Sequence, residues 1–287
     1  MRKILLEKLL FLPVTLFVLA FSCSQKVETT KGILLIVGGG NKPEAAIKEF
    51  VELCENQKIL VISSASAVPV ESGIETTTLF RDAGATAVDW LFIAGKDTAN
   101  ADSIVKKITS AKGIFFTGGV QSRLMNRIGG TRAAEALQEL YHKRRGIIGG
   151  TSAGAAVMSE IMITGDGDFG KLAAGNIVNV PGLGFIKDYI IDQHFVVRQR
   201  NNRLLSLVIE KRKTGIGIDE STAIVLYPDD TLKVYGKGQV LVYDPRDAVQ
   251  KHAGSQNLAM EGIKLSVLKE GDIFDLKSGK SIENVYP

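Results

Sequence analysis

Cysteine and histidine are scarce in this chain of 287 residues, which has two cysteines and three histidines. So few ligands argue against a zinc site built from cysteine and histidine side chains, and we expect neither a metal nor a cofactor. If Cys23 is lipidated, as argued below, Cys54 has no partner for a disulfide bond. Cys54 lies among apolar residues at helical spacing, a pattern that predicts a buried packing residue.

The chain also lacks a dense basic run with interleaved aromatic residues, although its formal net charge is +4. Such a run is typical of proteins that bind nucleic acid, so we expect no nucleic-acid partner. Glycine, in contrast, is abundant. The 30 glycines cluster near apolar runs, which indicates tight turns between strands and helices.

The first 23 residues have the pattern of an export signal. Three basic residues near the N-terminus precede the apolar run Leu9–Phe21, which is short of the ~20 apolar residues that a membrane-spanning helix needs. The run ends in Ser22-Cys23, which resembles a bacterial lipoprotein signal. We therefore expect an exported protein with a lipid on Cys23 and a tether over residues 24–31. The lipid would anchor it to the cell envelope, on the periplasmic or extracellular face. An ordinary secretory signal with an incidental cysteine is the alternative.

Residues 32–287 are predicted to form a single α/β domain, because short apolar runs alternate with helical patterns. The continuous apolar run Ile33–Val37 is typical of a strand that is buried on both faces. The alternation predicts a three-layer fold with a mostly parallel, doubly wound sheet, and the strand-rich C-terminal part predicts antiparallel strands. The predicted strands are Ile33–Val37, Lys58–Ser63, Ala87–Ile93, Gly113–Thr117, Gly146–Gly149, Tyr189–Asp192, Ile216–Asp219, Ala223–Tyr227, Thr231–Tyr235, Gln239–Tyr243 and Ile263–Leu268. The predicted helices are Glu44–Glu55, Glu75–Ala83, Asn100–Ser110, Gln121–Ile128, Thr131–Arg144, Ala153–Ile161 and Arg198–Arg212, with Asn41 as the N-cap of the first.

A G-x-S-x-G motif places Ser152 between a predicted strand and a predicted helix. In this setting a serine on a sharp turn projects its hydroxyl above the sheet, and the flanking glycines remove side chains that would clash. The sequence therefore predicts Ser152 as a nucleophile, with the N–H group of Ala153 as a donor to an oxyanion. A glycine-rich turn whose serine only caps the helix is the alternative.

A serine nucleophile needs a base, and His194 is the best placed of the three histidines. It follows an apolar run, where residues at strand ends reach an active site. His142 lies in a charged helix end and His252 in a polar stretch. For the acid that orients the imidazole, the residues alone leave Asp192, Asp219 and Glu220 open. A second oxyanion donor is expected at the Gly118-Gly119 turn, with Gly119 as the choice.

Three arginines, Arg198, Arg200 and Arg203, are predicted to open a helix just after His194. Cations are unfavourable at a helix N-terminus, so they need another reason to be there. Guanidinium groups that bind carboxylates of a substrate are one interpretation. Surface arginines that pair with neighbouring acids are the other. The run Gly38-Gly39-Gly40 lacks the later glycine of a dinucleotide-binding motif.

Taken together, five blocks of this sequence resemble the cyanophycinase family, which includes aspartyl dipeptidase relatives. They occur in the family's order between Gly32 and Ala223. The blocks are Gly38-Gly39-Gly40-Asn41, Phe116–Gln121, Gly150–Ala155, Asp192–Phe195 with the three arginines, and Gly217–Ala223.

The resemblance implies the three-layer α/β fold of class I glutamine amidotransferases and a serine exopeptidase activity without a metal. It implies Ser152 as nucleophile, His194 as base and Glu220 as the third member of a catalytic triad, and a homodimer as in many relatives. It also assigns several side chains to the substrate pocket. These are Gln121, Asp192, Gln193, Arg198, Arg200 and Arg203.

Cyanophycinases cleave a polyaspartate backbone that carries arginine side chains and release β-Asp-Arg dipeptides. Arginine forks for free carboxylates, and Asp192 for a guanidinium group, would suit a peptide of this kind. The polymer is an intracellular store in its producers, whereas the signal indicates export. A related serine hydrolase for isoaspartyl or other acidic peptides therefore stays an alternative, as does a non-catalytic binding lipoprotein.

Overall fold

The computed structural model describes residues 31–252 and 254–282. The predicted signal, the lipidation site Cys23 and tether residues 24–30 lie outside these ranges. Within them, no helix has the length and apolar character that crossing a membrane requires.

The strands and helices follow one another in alternation through the first half of the chain. The strands are β1 Ile33–Val37, β2 Ile59–Ile62, β3 Val88–Leu91, β4 Gly113–Phe116, β5 Ile147–Thr151, β6 Ile161–Gly167, β7 Ile177–Pro181, β8 Tyr189–Gln193, β9 Thr214–Ile218, β10 Thr222–Leu226, β11 Thr231–Gly236, β12 Val240–Asp244, β13 Val249–Lys251, β14 Ala259–Glu261, β15 Lys264–Leu268, β16 Ile273–Asp275 and β17 Lys280–Ile282. The helices are α1 Glu44–Leu53, α2 Pro69–Asp82, α3 Lys96–Ala99, α4 Asp102–Thr109, α5 Gln121–Ile128, α6 Arg132–Lys143, α7 Ala153–Ala156 and α8 Asn201–Lys211.

The main sheet has nine strands in the described ranges, in the order β17-β16-β11-β10-β1-β5-β4-β2-β3. Strands β3, β2, β4, β5 and β1 run parallel to one another, and β10 pairs antiparallel with β1. Strands β11, β16 and β17 continue the antiparallel part. The predicted α/β fold with antiparallel strands near the C-terminus is therefore confirmed.

Helices cover both faces of the parallel strands, because successive residues of each strand point to opposite faces. In β1, Leu34 and Ile36 join one apolar cluster, whereas Leu35 and Val37 join another. Helices α4, α5 and α6 pack in the first cluster, and α1 and α2 pack in the second. Three layers result. Cys54 is fully buried in the second cluster, as predicted, and burial raises the pKa of its thiol to about 12.

A second sheet has the order β15-β12-β9-β8 and was not foreseen as a separate unit. Its strands β8 and β9 are parallel, so their carboxyl ends lie side by side. Helix α8 packs on this sheet through Leu204, Leu207 and Val208 in a third apolar cluster. The second sheet therefore brings the segments after β8 and β9 to one place.

Several predicted elements differ from the structure. The predicted helix Ala153–Ile161 is wrong, since α7 lasts a single turn and β6 begins at Ile161. A buried apolar run has no exposed face, so its periodicity could not distinguish one long helix from a short helix followed by a strand. Pro43, not Asn41, is the N-cap of α1. Helix α8 begins at Asn201, so two of the three arginines precede it.

Candidate active site

Ser152 lies on a strained turn between β5 and α7. Its backbone has φ 53° and ψ −111°, and its N–H group donates to the Val37 carbonyl at 3.1 Å. The glycines of the motif are required by close packing. A Cβ on Gly150 would lie 2.5 Å from the Gly154 backbone, and one on Gly154 would lie 2.3 Å from the Phe116 carbonyl oxygen. The hydroxyl is thereby held at the carboxyl end of the central parallel strands.

The imidazole of His194 reaches Ser152 from the second sheet. His194 follows β8, has a φ of 49°, and its N–H group donates to the Gly38 carbonyl at 2.8 Å. Its Nε2 atom lies 2.7 Å from Ser152 Oγ. The side chain of His194 is 9% exposed. The two predicted residues are thus in hydrogen-bond contact although they belong to different sheets.

The structure distinguishes the three acids that the residues alone left open. Glu220 Oε1 lies 2.5 Å from His194 Nδ1. Asp219 instead accepts hydrogen bonds from the backbone N–H groups of Val196 and Val197 at 3.1 and 3.0 Å. The Glu220 carboxylate therefore accepts a hydrogen bond from Nδ1–H, which leaves the lone pair of Nε2 directed at the serine.

Sequence reasoning missed the role of the run Gly38-Gly39-Gly40, which connects β1 to the loops of the second sheet. The Gly38 carbonyl accepts from His194, and the Gly39 carbonyl accepts from the N–H group of Ser221 at 2.8 Å. A Cβ on Gly39 would lie 2.1 Å from His194 Cε1, and Gly39 has a φ of 125°. The sequence feature that could have indicated this role is the position of the three glycines directly after a buried strand.

Burial lowers the pKa of His194, and the positive charges of Arg198 and Arg200 lower it further. The hydrogen bond and the charge of Glu220 oppose this change. Arg198 Nη2 lies 3.7 Å from Glu220 Oε1, and its side chain is 53% exposed. The imidazole is thus neutral at neutral pH, which is the form that can accept a proton from a serine.

Asp192 and Arg203 form a buried ion pair. Arg203 Nε donates to Asp192 Oδ2 at 2.7 Å, and Arg203 Nη2 donates to Oδ1. Their exposures are 0% and 2%. The prediction that these two side chains contact a substrate needs correction, because each charge is satisfied by the other. Arg200 lies at the edge of the pair and donates from Nη1 to the Gln193 carbonyl at 2.6 Å.

Gln121 and Gln193 also have structural surroundings that the sequence did not predict. The Gln121 amide group donates to the carbonyls of Ile163 and Thr164 at 2.9 and 2.7 Å, and so holds β6. Gln193 is 4% exposed, and its Oε1 atom has no hydrogen-bond partner in the described ranges. Gln193, which precedes His194 in the sequence, therefore has a buried acceptor without a hydrogen-bond partner in the described ranges.

A cavity of about 320 Å³ adjoins Ser152. Its walls are mostly polar, and the predicted oxyanion residue Gly119 is among them. The lining residues are Gly39, Gly40, Lys42, Ser66, Ser72, Glu75, Thr76, Thr117, Gly118, Gly119, Thr151 and Ser152. A larger cavity of about 920 Å³ is lined by Glu49, Lys112 and Tyr227 but by none of the residues around Ser152. The small cavity is therefore the one that adjoins the predicted nucleophile.

Gly119 lines this cavity, and Ala153 directly follows Ser152, which also lines it. A Cβ on Gly119 would lie 2.1 Å from the Ala65 carbonyl oxygen, so only glycine fits there. Ala153 is 1% exposed and begins α7.

In the described part of the chain, no group of three or more histidine, cysteine, aspartate or glutamate side chains could hold a metal ion.

Comparison with known proteins agrees with the class that this fold and site define, a serine-type peptidase. The profile of peptidase family S51 matches residues 33–234. The chain belongs to peptidase family S51.

Several relatives are named cyanophycinase. The one from Synechococcus elongatus is 32% identical over 258 residues, which cover 86% of this chain and 80% of the relative. The one from Nostoc sp. strain PCC 7120 is 33% identical over 260 residues, which cover 87% of each chain. The crystal structure of a peptidase from an acI-B1 Actinobacterium shares the fold, with a TM-score of 0.65 at 22% identity over 86% of this chain and 98% of that one.

Replacing Gly39 by alanine should displace the His194 ring, because the new Cβ would overlap Cε1. We expect Gly39→Ala to fold and to lose roughly 100-fold in kcat, as a displacement of about 1 Å can cause. Peptide hydrolysis and circular dichroism measure the two effects. Gly84→Ala is the matched control, since Gly84 has a φ of 100° but nothing within 4 Å of an added Cβ. Equal activity of both variants would contradict the assignment of the clash.

Removing Arg203 should destabilise the fold, because it leaves the Asp192 carboxylate buried and unpaired. We expect Arg203→Ala to lower the free energy of unfolding by about 3–5 kcal/mol, measured by urea denaturation. Arg132→Ala breaks an exposed pair with Asp102 and should cost about 1 kcal/mol or less. The double variant Asp192→Leu/Arg203→Leu should lose less than Arg203→Ala alone. A loss below about 1 kcal/mol for Arg203→Ala would show that the pair does not stabilise the protein.

Proposed function

We propose that this protein is a cyanophycinase-like serine exopeptidase that hydrolyses β-aspartyl-arginine peptides through Ser152, His194 and Glu220. The observation that supports this most directly is the unbroken chain of hydrogen bonds from Ser152 Oγ through His194 to Glu220 Oε1. A serine in such a chain, beside a polar cavity, is arranged for acyl transfer.

In the proposed reaction, His194 Nε2 takes the proton of Ser152 as Oγ attacks the carbonyl carbon of the substrate. The N–H groups of Gly119 and Ala153 hold the oxyanion that forms. The imidazolium then gives its proton to the leaving nitrogen, the C–N bond breaks, and an acyl-enzyme remains. Water repeats the sequence and releases the acid. Glu220 stabilises the imidazolium throughout.

We infer the substrate class from the similarity to the relatives and from the positively charged side chains near the site. The relatives named cyanophycinase share about a third of their residues with this chain over most of its length. Arg198 is exposed next to the reacting groups and can bind a substrate carboxylate. Gln193 is 4% exposed and its Oε1 atom is buried, so we assign Gln193 to positioning. We assign Gln121, Asp192, Arg200 and Arg203 to positioning, since their polar groups are engaged with the protein.

The same proposal includes export, lipid attachment at Cys23 with anchoring to the cell envelope, and a homodimer. These parts rest on the sequence pattern and on the resemblance. An isoaspartyl peptidase with another acidic substrate is the second outcome of the experiment below.

Replacing Ser152 by alanine should abolish hydrolysis, with a loss of at least about 10⁴-fold in kcat. Mass spectrometry of products after incubation with cyanophycin should detect β-Asp-Arg for the wild type only. Ser159→Ala is the matched control, because Ser159 lies three residues after α7 and is fully buried, and its hydroxyl has no hydrogen-bond partner in the described part. Persisting turnover by Ser152→Ala would refute the nucleophile. Cleavage of isoaspartyl dipeptides but not of cyanophycin would refute the substrate alone.

Replacing Arg198 by glutamine should raise the pKa of His194, since the positive charge of Arg198 lowers it. Ser152 reacts only when His194 is neutral, so the rate rises with pH through this pKa. We expect the midpoint of that rise to move to higher pH in Arg198→Gln. The rate of labelling by a neutral fluorophosphonate measures it without a charged substrate. Arg132→Gln makes the same charge change far from the site and should leave the midpoint in place. An unchanged midpoint in Arg198→Gln would contradict the electrostatic coupling.

A further inference from the structure

Two side chains of opposite charge line the cavity beside Ser152, and neither belongs to the set that the resemblance assigns. Lys42 lies in the loop between β1 and α1, and Glu75 lies in α2. Within the described ranges, neither forms a salt bridge. Their charges are therefore available at the place where a substrate must bind.

The three arginines near the site each have a carboxylate neighbour, and two of them share the buried carboxylate of Asp192. Arg203 is paired with Asp192, Arg200 lies 3.7 Å from the same carboxylate, and Arg198 lies 3.7 Å from Glu220. A buried pair contributes little to recognition, because its partners cannot turn to a ligand without losing each other. Arg198 does not line the cavity, and the charged side chains that do line it are those of Lys42 and Glu75.

The cavity combines these charges with hydroxyl groups. Ser66 Oγ and Ser72 Oγ are 2.7 Å apart, and the threonines Thr76 and Thr117 line the same space. A cavity of about 320 Å³ lies at the small end of ligand sites and holds one or two amino-acid residues. A polar cavity with one cation and one anion complements a ligand that carries one charge of each sign.

We propose that Lys42 and Glu75 are specificity-determining residues, with Lys42 binding a carboxylate and Glu75 a guanidinium or ammonium group of the same substrate residue. The enzyme would thereby select substrates that carry both charges near the bond that is cleaved. This inference deepens the proposed function and rests on it, because it places the substrate in the cavity of Ser152.

Three matched peptides separate the two charges. The first is a short β-Asp-Arg oligomer, the second replaces arginine by citrulline, which is neutral and nearly isosteric, and the third converts the arginine carboxylate to an amide. We expect Glu75→Gln to lower kcat/KM about tenfold for the arginine peptide and less than about twofold for the citrulline peptide. Lys42→Gln should lower it about tenfold for the arginine and citrulline peptides, but not for the amide.

Two control variants make the same changes of charge outside the cavity. Glu71→Gln lies one turn before Glu75 in α2, and Glu71 is exposed and does not line the cavity. Lys237→Gln removes an exposed lysine that lines a neighbouring cavity of about 480 Å³ with Lys42, but not the cavity of Ser152. Both controls should keep the wild-type preference among the three peptides. If they shift it as much as the test variants do, long-range charge explains the effect and the inference is overturned.

Binding of the same peptides to Ser152→Ala, measured by calorimetry, separates this inference from the proposed function. If the wild type cleaves none of the peptides but Ser152→Ala binds them with the expected charge preference, the proposed function fails and the charge selection stands. If the wild type cleaves them and Glu75→Gln and Lys42→Gln keep its preference in both turnover and binding, the charge selection fails and the function stands. Absence of both turnover and binding overturns both.

Discussion

Two main-chain hydrogen bonds hold the site together, because they join the loop after β1 to the loops of the second sheet. The Gly38 carbonyl receives the N–H group of His194, and the Gly39 carbonyl receives that of Ser221, each at 2.8 Å. Ser152 and its elbow belong to the main sheet, whereas His194 and Glu220 follow strands of the other sheet. The Gly38 N–H group also donates to the Thr222 carbonyl at 2.9 Å, so the same run holds the segment that follows Glu220. Glycine at position 39 is what permits so close an approach.

Backbone strain at the site has the same origin. Ser152, His194 and Ser221 all have positive φ values of about 50°. Each follows, at a distance of one to three residues, a strand that is buried and cannot shift. The cost of such conformations is of the order of 1–3 kcal/mol per residue, so the surrounding packing must hold them. The ion pair between Asp192 and Arg203 contributes to that packing, since Asp192 lies two residues before His194 in β8.

The sequence alone predicted the central parallel strands and the residues at their ends with good accuracy. Ile33–Val37 and Gln121–Ile128 were predicted with their observed bounds, because a strand buried on both faces and a strongly amphipathic helix have distinct patterns. The helix predicted over Ala153–Ile161 was wrong, because a segment that is buried nearly all round has no polar face to reveal its period. The separate second sheet could not be predicted, since nothing local states which strands pair. Proximity of Ser152 and His194 followed from strand ends, but the choice of Glu220 among three acids required either the resemblance or coordinates.

The three arginines show most clearly that residue type alone does not reveal the role of a side chain. Three arginines near a nucleophile are expected if they bind a substrate carboxylate. The same sequence is expected if one of them forms a buried ion pair, so the sequence does not distinguish the two roles. Only burial separates the cases: Arg203 is 2% exposed, whereas the side chain of Arg198 is 53% exposed. A charge that is satisfied inside the protein fixes the geometry of its neighbours, and a charge that lacks a partner at a cavity is left for a ligand. By that criterion Arg203 fixes the geometry of the site, Arg198 stays available to a ligand, and Lys42 and Glu75, which no motif marks, join it in the recognition of charge.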